Sequence, residues 1–222
     1  DAGDIRYNVL RWTSSPEPPF GGYGPSFTNP RTGQIIGADI MLEYVFLTNR
    51  VRQDRLVSTA GLDMMQPFDA QAIEDAEAAG HCTIGLHLHN NALFGLQALR
   101  AAGADEVEVT DYINQSLHYL LLHEVGHTLG LNHNMKATQA RPIAELSNRS
   151  LTAREGLYGS VMDYPDVNLA MPGQPQGEYW MTTVGPYDRW AIEFGYSTAL
   201  ETDEAEAARL ETILARSTDP RL

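Results

Sequence analysis

The chain has 222 residues, is 43% hydrophobic, and carries 15 basic against 29 acidic side chains, a formal net charge of −14. That is enough for one large domain or two lobes around a cleft, and the acidic balance argues against a basic surface for nucleic acid or anionic lipid. A single cysteine, Cys82, excludes an internal disulfide, and no apolar run is long enough to insert in a membrane. No signal peptide begins the chain, and Asp1-Ala2-Gly3 reads as the start of a processed or excised chain.

In chain order, "IRYNVLRW" (Ile5 to Trp12) predicts a strand from its aromatic and β-branched content. "TSSPEPPFGGYGPS" follows as a Pro/Gly-rich loop. A turn at Asn29 to Gly33 leads into a strand from about Gly33 to Ile40, followed by helix through Val57. "DAQAIEDAEAAG" predicts a helix stopping at Gly80, and "NALFGLQALRAAG" another ending near Gly103. The strongest helical pattern runs from Asp111 to Leu129. Thr110 or Asp111 caps its start, and Gly130 is placed to end it in the left-handed conformation. Its apolar residues lie nearly all round, the mark of a buried central helix. Lys136 to Ser160 reads as irregular, with a short helix around Pro142 to Leu146. "GPYDRWAIEFGYS" predicts a helix with Pro186 in the first turn, Asp188 at the positive end of its dipole and Gly195 as the stop. "ETDEAEAARLETILARS" predicts a final amphipathic helix on the surface.

The central helix ends in "HEVGHTLGLNH", His123 to His133. At about 100° per residue, His123 and His127 lie about 40° apart on one face, one turn from each other. Both imidazoles can reach one metal ion, while Glu124 projects about 60 to 100° to the side. After the turn allowed by Gly130, His133 can return as a third nitrogen ligand. Three neutral imidazoles leave the fourth position of zinc open, the mark of a catalytic site. Water there has its pKa lowered to about 7, and Glu124 is the natural base to take its proton and pass it to a leaving amine. A buried carboxylate otherwise costs several kcal/mol, roughly, so a nearby dication explains its presence in this apolar stretch. Gly126, mid-helix, costs about 1 kcal/mol relative to alanine, so close packing needs its missing side chain.

His123-Glu124-x-x-His127-x-x-Gly130-x-x-His133 resembles the zinc signature of the metzincin metalloproteases. "GSVMDYP" (Gly159 to Pro165) resembles the Met-turn of that clan, with Met162 as its methionine. Tyr164 keeps a Met-x-Tyr spacing found in the astacin, serralysin and pappalysin branches. The resemblance implies that it approaches the zinc or stabilises the oxyanion; otherwise it is a packing tyrosine. "INQSLHYLLLHEVGHTLGLNHNMKA", "SVMDYP", "GPYDRWAIEFGYS" and "NPRTGQII" together resemble the catalytic region of large exported bacterial zinc-dependent metalloproteases. The likeness is strong from about Ile113 to Tyr196 and patchy before it.

The resemblance implies an α+β, metzincin-like fold formed as one catalytic domain, residues 1–222. An upper lobe, 1–133, should hold a twisted mixed sheet, mostly parallel, with backing helices and the zinc helix. A lower lobe, 134–222, should be irregular and helical and hold the Met-turn. The expected function is a zinc-dependent endopeptidase with one catalytic Zn²⁺ on His123, His127 and His133, Glu124 as general base, and Tyr164 assisting the tetrahedral intermediate. Its partner is a protein or peptide substrate, with no nucleic acid and no membrane insertion; the oligomeric state is left open. A non-catalytic zinc-containing peptide-binding domain and a zinc amidase acting on small or cell-wall peptides are the alternatives. His87 and His89, or His81 with Cys82, offer a second metal reading that lacks evident partners. His118 is expected in the core or behind the ligands. Cys82 reads as a buried free cysteine rather than as a thiolate blocking the zinc. Asp163 and Asp188 either orient a zinc histidine or pin the Met-turn, or serve only as solvated or capping residues.

Overall fold

The computed structural model describes residues 4–14, 22–43, 75 and 82–222. The helix expected through Val57, the one expected to stop at Gly80, and His81 lie outside the described residues. The described elements are mixed α+β: a small open mixed sheet and five α-helices. Two compact units divide the chain, Asp1–Gly130 and Leu131–Leu222.

In the first unit the sheet is built on β4 (Ile35–Glu43), flanked on one side by β1 (Val9–Thr13) and on the other by β2 (Gly22–Tyr23) and β3 (Ser26–Thr28). β1 pairs with β4 in parallel, Val9 opposite Asp39 through Thr13 opposite Glu43. β2 and β3 both run antiparallel to β4, Gly22 opposite Leu42 and Ser26 opposite Ala38. Among the described residues two of the three pairings are antiparallel, so this part of the sheet is mixed rather than mostly parallel as expected from sequence. The cause is local. The predicted turn at Asn29 to Gly33 joins β3 to β4 directly, closed by the Gly33 amide donating to the Asn29 carbonyl at 2.8 Å, and strands joined by so short a turn pair antiparallel. β2 and β3 are successive pieces of one extended run. They are separated at Gly24-Pro25, where proline has no amide to give to a ladder.

Helix α1 (Ile84–Ala101) buries Ile84, Leu88, Ala92, Leu93, Leu96 and Leu99, spacings of three and four that make one continuous apolar stripe. It begins well before the segment from Asn91 that propensity marks. His87 and His89 stand on this helix and not on a strand, so their i, i+2 spacing does not bring them to one face.

Helix α2 (Glu106–Thr128) starts five residues before the predicted Asp111. Its cap is Asp105, whose carboxylate accepts from the amides of Val107 and Glu108, both at 2.9 Å. Glu106 and Glu108 occupy its first turn, where the dipole favours acids. The other end behaves as expected: Gly130 has φ 83°, a conformation open chiefly to glycine. Its most deeply buried side is not the leucine-rich one. Tyr112, Ser116, Tyr119, His123 and Glu124 are all at most 1% exposed. Ile113, Leu117, Leu121 and Val125 are half-buried, and His118 is exposed rather than in the core.

The second unit is held together largely by side chains that satisfy irregular backbone. Two 3₁₀ turns, Ala137–Ala140 and Ile143–Glu145, precede α3 (Arg149–Glu155). The second turn falls where a short helix is predicted; α3, capped by Asn148 accepting from the Leu151 amide at 3.2 Å, was not anticipated. The Asn168 side-chain amide donates to the carbonyls of Leu146 (3.0 Å) and Glu178 (2.8 Å). Helix α4 (Pro186–Tyr196) opens with Pro186 as expected but passes through Gly195 to end at Tyr196. Helix α5 (Asp203–Leu214) is mostly exposed and buries Ile213, whose carbonyl accepts from the Trp190 indole at 2.7 Å. Leu157, Met162, Trp180 and Met181 are the fully buried apolar centre of this unit. Among the described residues no helix is long and apolar enough to cross a membrane.

Candidate metal centre

The last two turns of α2 present His123 and His127 together. Their rings meet edge to face, centroids 4.8 Å apart at 82°. His123 is fully buried, and Tyr119, one turn earlier, stands edge-on to it at 6.3 Å. The Sγ of Cys82 lies 3.5 Å from His123 Nε2. Cys82, His123 and His127 each offer a ligand atom within 4.8 Å of the others, and they are part of the one such group among the described residues. Two imidazoles and a thiol are borderline-soft donors, a set suited to zinc and unlike the oxygen ligands of calcium or magnesium.

Glu124 is fully buried, and its carboxylate oxygens find at best weakly placed donors, the Cys82 thiol and the Gly24 amide. Burial pushes its carboxyl up to about 8; the nearby Cys82 thiol and Gly24 amide offset this only in part. A buried carboxylate beside two imidazoles is a charge that a bound cation would offset. The residues present therefore fit a zinc ion.

The burial of Glu124 is made by the glycine-rich run before β3. A Cβ on Gly22 would stand 2.4 Å from Glu124 Oε1, and one on Gly24 would stand 2.4 Å from the Glu124 carbonyl oxygen. Both glycines are required by contact with the helix, a role that the loop reading of "FGGYGPS" does not reveal.

In the second unit, His133 is exposed and its Nε2 lies 3.1 Å from the Tyr164 hydroxyl, the two rings 4.7 Å apart. The predicted turn residues are close by in this unit. Met162 is fully buried, and its carbonyl accepts from the amide of Asn134, next to His133, at 2.9 Å. Asp188 accepts from the Ser160 hydroxyl (2.5 Å) and from the amides of Val161 (2.9 Å) and Gly185 (2.8 Å). Asp163 accepts from the amides of Thr138 and Tyr164, both at 2.7 Å. Of the alternatives open for these two aspartates, pinning the turn around Met162 is what their contacts support.

Burial raises the Asp188 carboxyl above its usual range, against three hydrogen bonds that lower it. Asp188→Ala strands three buried donors, so it is expected to destabilise the chain by about 3 kcal/mol or more. Urea unfolding of the variant checks this, and a loss below about 1 kcal/mol would remove Asp188 from the architecture of the turn.

An α-helix carrying two imidazoles one turn apart with a buried carboxylate between them in sequence has the His-Glu-x-x-His pattern seen in zinc metallopeptidases. The chain belongs to the Met-zincin family, zinc metallopeptidases of the metzincin clan, whose match spans residues 105–222, just over half of its length. No curated protein and no solved structure matches it.

Proposed function

We propose that this chain is a zinc-dependent endopeptidase acting on protein or peptide substrates. The observation that carries the reading is the edge-to-face pair of the buried His123 and the half-buried His127, with the buried Glu124 carboxyl beside them. His133 is the third ligand in this reading. The motif spacing and the left-handed Gly130, which ends the helix, support it. Zinc, when bound, supplies Lewis-acid chemistry that polarises a peptide carbonyl and acidifies water.

The protein's own groups do the rest. A Glu124 carboxylate oxygen takes the proton of the attacking water and delivers it to the departing amine nitrogen. The Tyr164 hydroxyl, held at a ligand histidine, donates to the oxygen that gains charge as the carbonyl becomes tetrahedral. The turn around Met162, in the place of a Met-turn, is fastened by Asp188 and by the Asn134 amide and so fixes His133 from behind. Gly22 and Gly24 keep Glu124 from swinging away. An exported location is part of the same proposal and rests on the likeness of the motifs to exported bacterial enzymes.

Elemental analysis of the purified chain is expected to give close to one zinc per molecule, with metal lost in His127→Ala. Hydrolysis of a mixed peptide library should vanish on chelation and return with zinc. Zinc retained in full by His127→Ala would sink the ligand assignment. Stoichiometric zinc without any peptide turnover would leave a peptide-binding domain in place of an enzyme.

A further inference from the structure

Glycine weakens a strand, through chain entropy and a missing side chain, and it often marks a place where another backbone comes close. β2 and the residue after it carry two, Gly22 and Gly24, on either side of Tyr23. Neither has a positive φ, so no left-handed conformation calls for glycine at either position. Contact with Glu124 does. Residues two apart on an extended chain share a face, and these two turn theirs to the same side chain. A Cβ on Gly22 would meet Oε1 at 2.4 Å and both Cδ and Cγ at 2.9 Å. One on Gly24 would meet Oε2 at 3.2 Å, besides the carbonyl oxygen at 2.4 Å. Each carboxylate oxygen therefore has one bare stretch of chain against it. The donors beside the carboxyl, the Gly24 amide and the Cys82 thiol, are too weakly placed to aim it. Its direction is set by packing.

We propose that Gly22 and Gly24 are positioning residues, a side-chain-free seat that holds the Glu124 carboxylate in line for proton transfer. This rests on Glu124 as the base in the zinc reading above. The two glycines act on different parts of the residue. Gly24 lies against the helix backbone and sets how close the strand comes, whereas Gly22 lies against the end of the side chain and sets where the oxygens point. A reacting group misplaced by about 1 Å costs on the order of 10²-fold in rate. One methyl group at Gly22 is then enough to disarm the base and leave the histidines in place.

Gly22→Ala is the variant to test, because its methyl meets the far end of a flexible side chain, while Gly24→Ala meets helix backbone and has to lift the strand. It should lower kcat by about 10²-fold, with KM and zinc content unchanged. In a Glu124→Gln background the same change should alter the residual rate by no more than about twofold, since no base remains to be aimed. An equal fall in both backgrounds is a general structural effect and overturns the proposal, as does an unchanged kcat in Gly22→Ala alone. Full turnover by Glu124→Gln alone overturns the base assignment and the seat together.

Thermal unfolding of the metal-free chain supplies a measure without activity. Gly22→Ala should lower Tm in the unaltered chain but not in Glu124→Ala, where removal of the carboxyl makes room for the methyl. Equal losses in the two backgrounds place the strain elsewhere and overturn the contact, even if Gly22→Ala by itself is too unstable to assay.

Discussion

Glu124→Gln is expected to lower peptide hydrolysis by about 10²- to 10⁴-fold with zinc content unchanged, the range typical of a lost general acid–base. Glutamine is nearly isosteric, so the fit against Gly22 and Gly24 survives while the proton-accepting oxygen is gone. The same substitution has an opposite effect on stability in the metal-free chain. The Glu124 carboxyl rises from an ordinary value of 4.5 to about 8 on burial. Below about pH 4.5 folded and unfolded chains are both protonated there, and the residue has no pH effect. Between that pH and about 8 the folded chain keeps a proton that the unfolded chain has lost, so stability falls as pH rises, by about 1.4 kcal/mol per unit. Above about pH 8 the loss levels off, at on the order of 5 kcal/mol at most. Unfolding of the metal-free chain at pH 5 and pH 8 should show this decline, and Glu124→Gln should flatten it. Wild-type turnover by the variant would take Glu124 out of the mechanism, and an unchanged pH slope would place the carboxylate in water.

Tyr164→Phe should reduce kcat by about 10²- to 10³-fold, on the order of 3 to 4 kcal/mol, with KM and zinc content nearly constant. The hydroxyl lies 3.1 Å from His133 Nε2, so it sits within reach of a group bound next to that nitrogen. Removing only the oxygen leaves the edge-to-face packing of the two rings in place. A contact made only in the transition state lowers kcat, whereas one made equally to substrate raises KM. Retained kcat would make Tyr164 a packing residue, and lost zinc would make it a support for His133.

What the sequence made legible follows the range of the interactions. His123 and His127 share a face because helix geometry is local, and Gly130 ends α2 because the left-handed cap is a property of one residue. Boundaries set by a single cap were less visible. Asp105 starts α2, while Thr110 and Asp111, equally good capping types, lie inside it. The antiparallel pairings of β2 and β3 were missed because strands of two and three residues carry no periodicity. Cys82 lies 41 residues from His123, and nothing in its flanking sequence predicts their meeting. Gly22 and Gly24 read as loop residues until the helix they touch is known. The two aspartates were ambiguous for the same reason: a buried acceptor and a helix-capping acid have the same letter.

The attachment of Asp188 also bears on how small a working piece of this protein can be. Every position of the histidine motif, and Met162 itself, is encoded before residue 165. A fragment cut shortly after that point would keep each proposed ligand and yet release Ser160 and Val161 from the carboxylate that holds them. The motif and the turn that packs around Met162 thus have different ends, and the latter reaches into the first turn of α4. Grafts or minimised versions of this centre have to carry that helix with them.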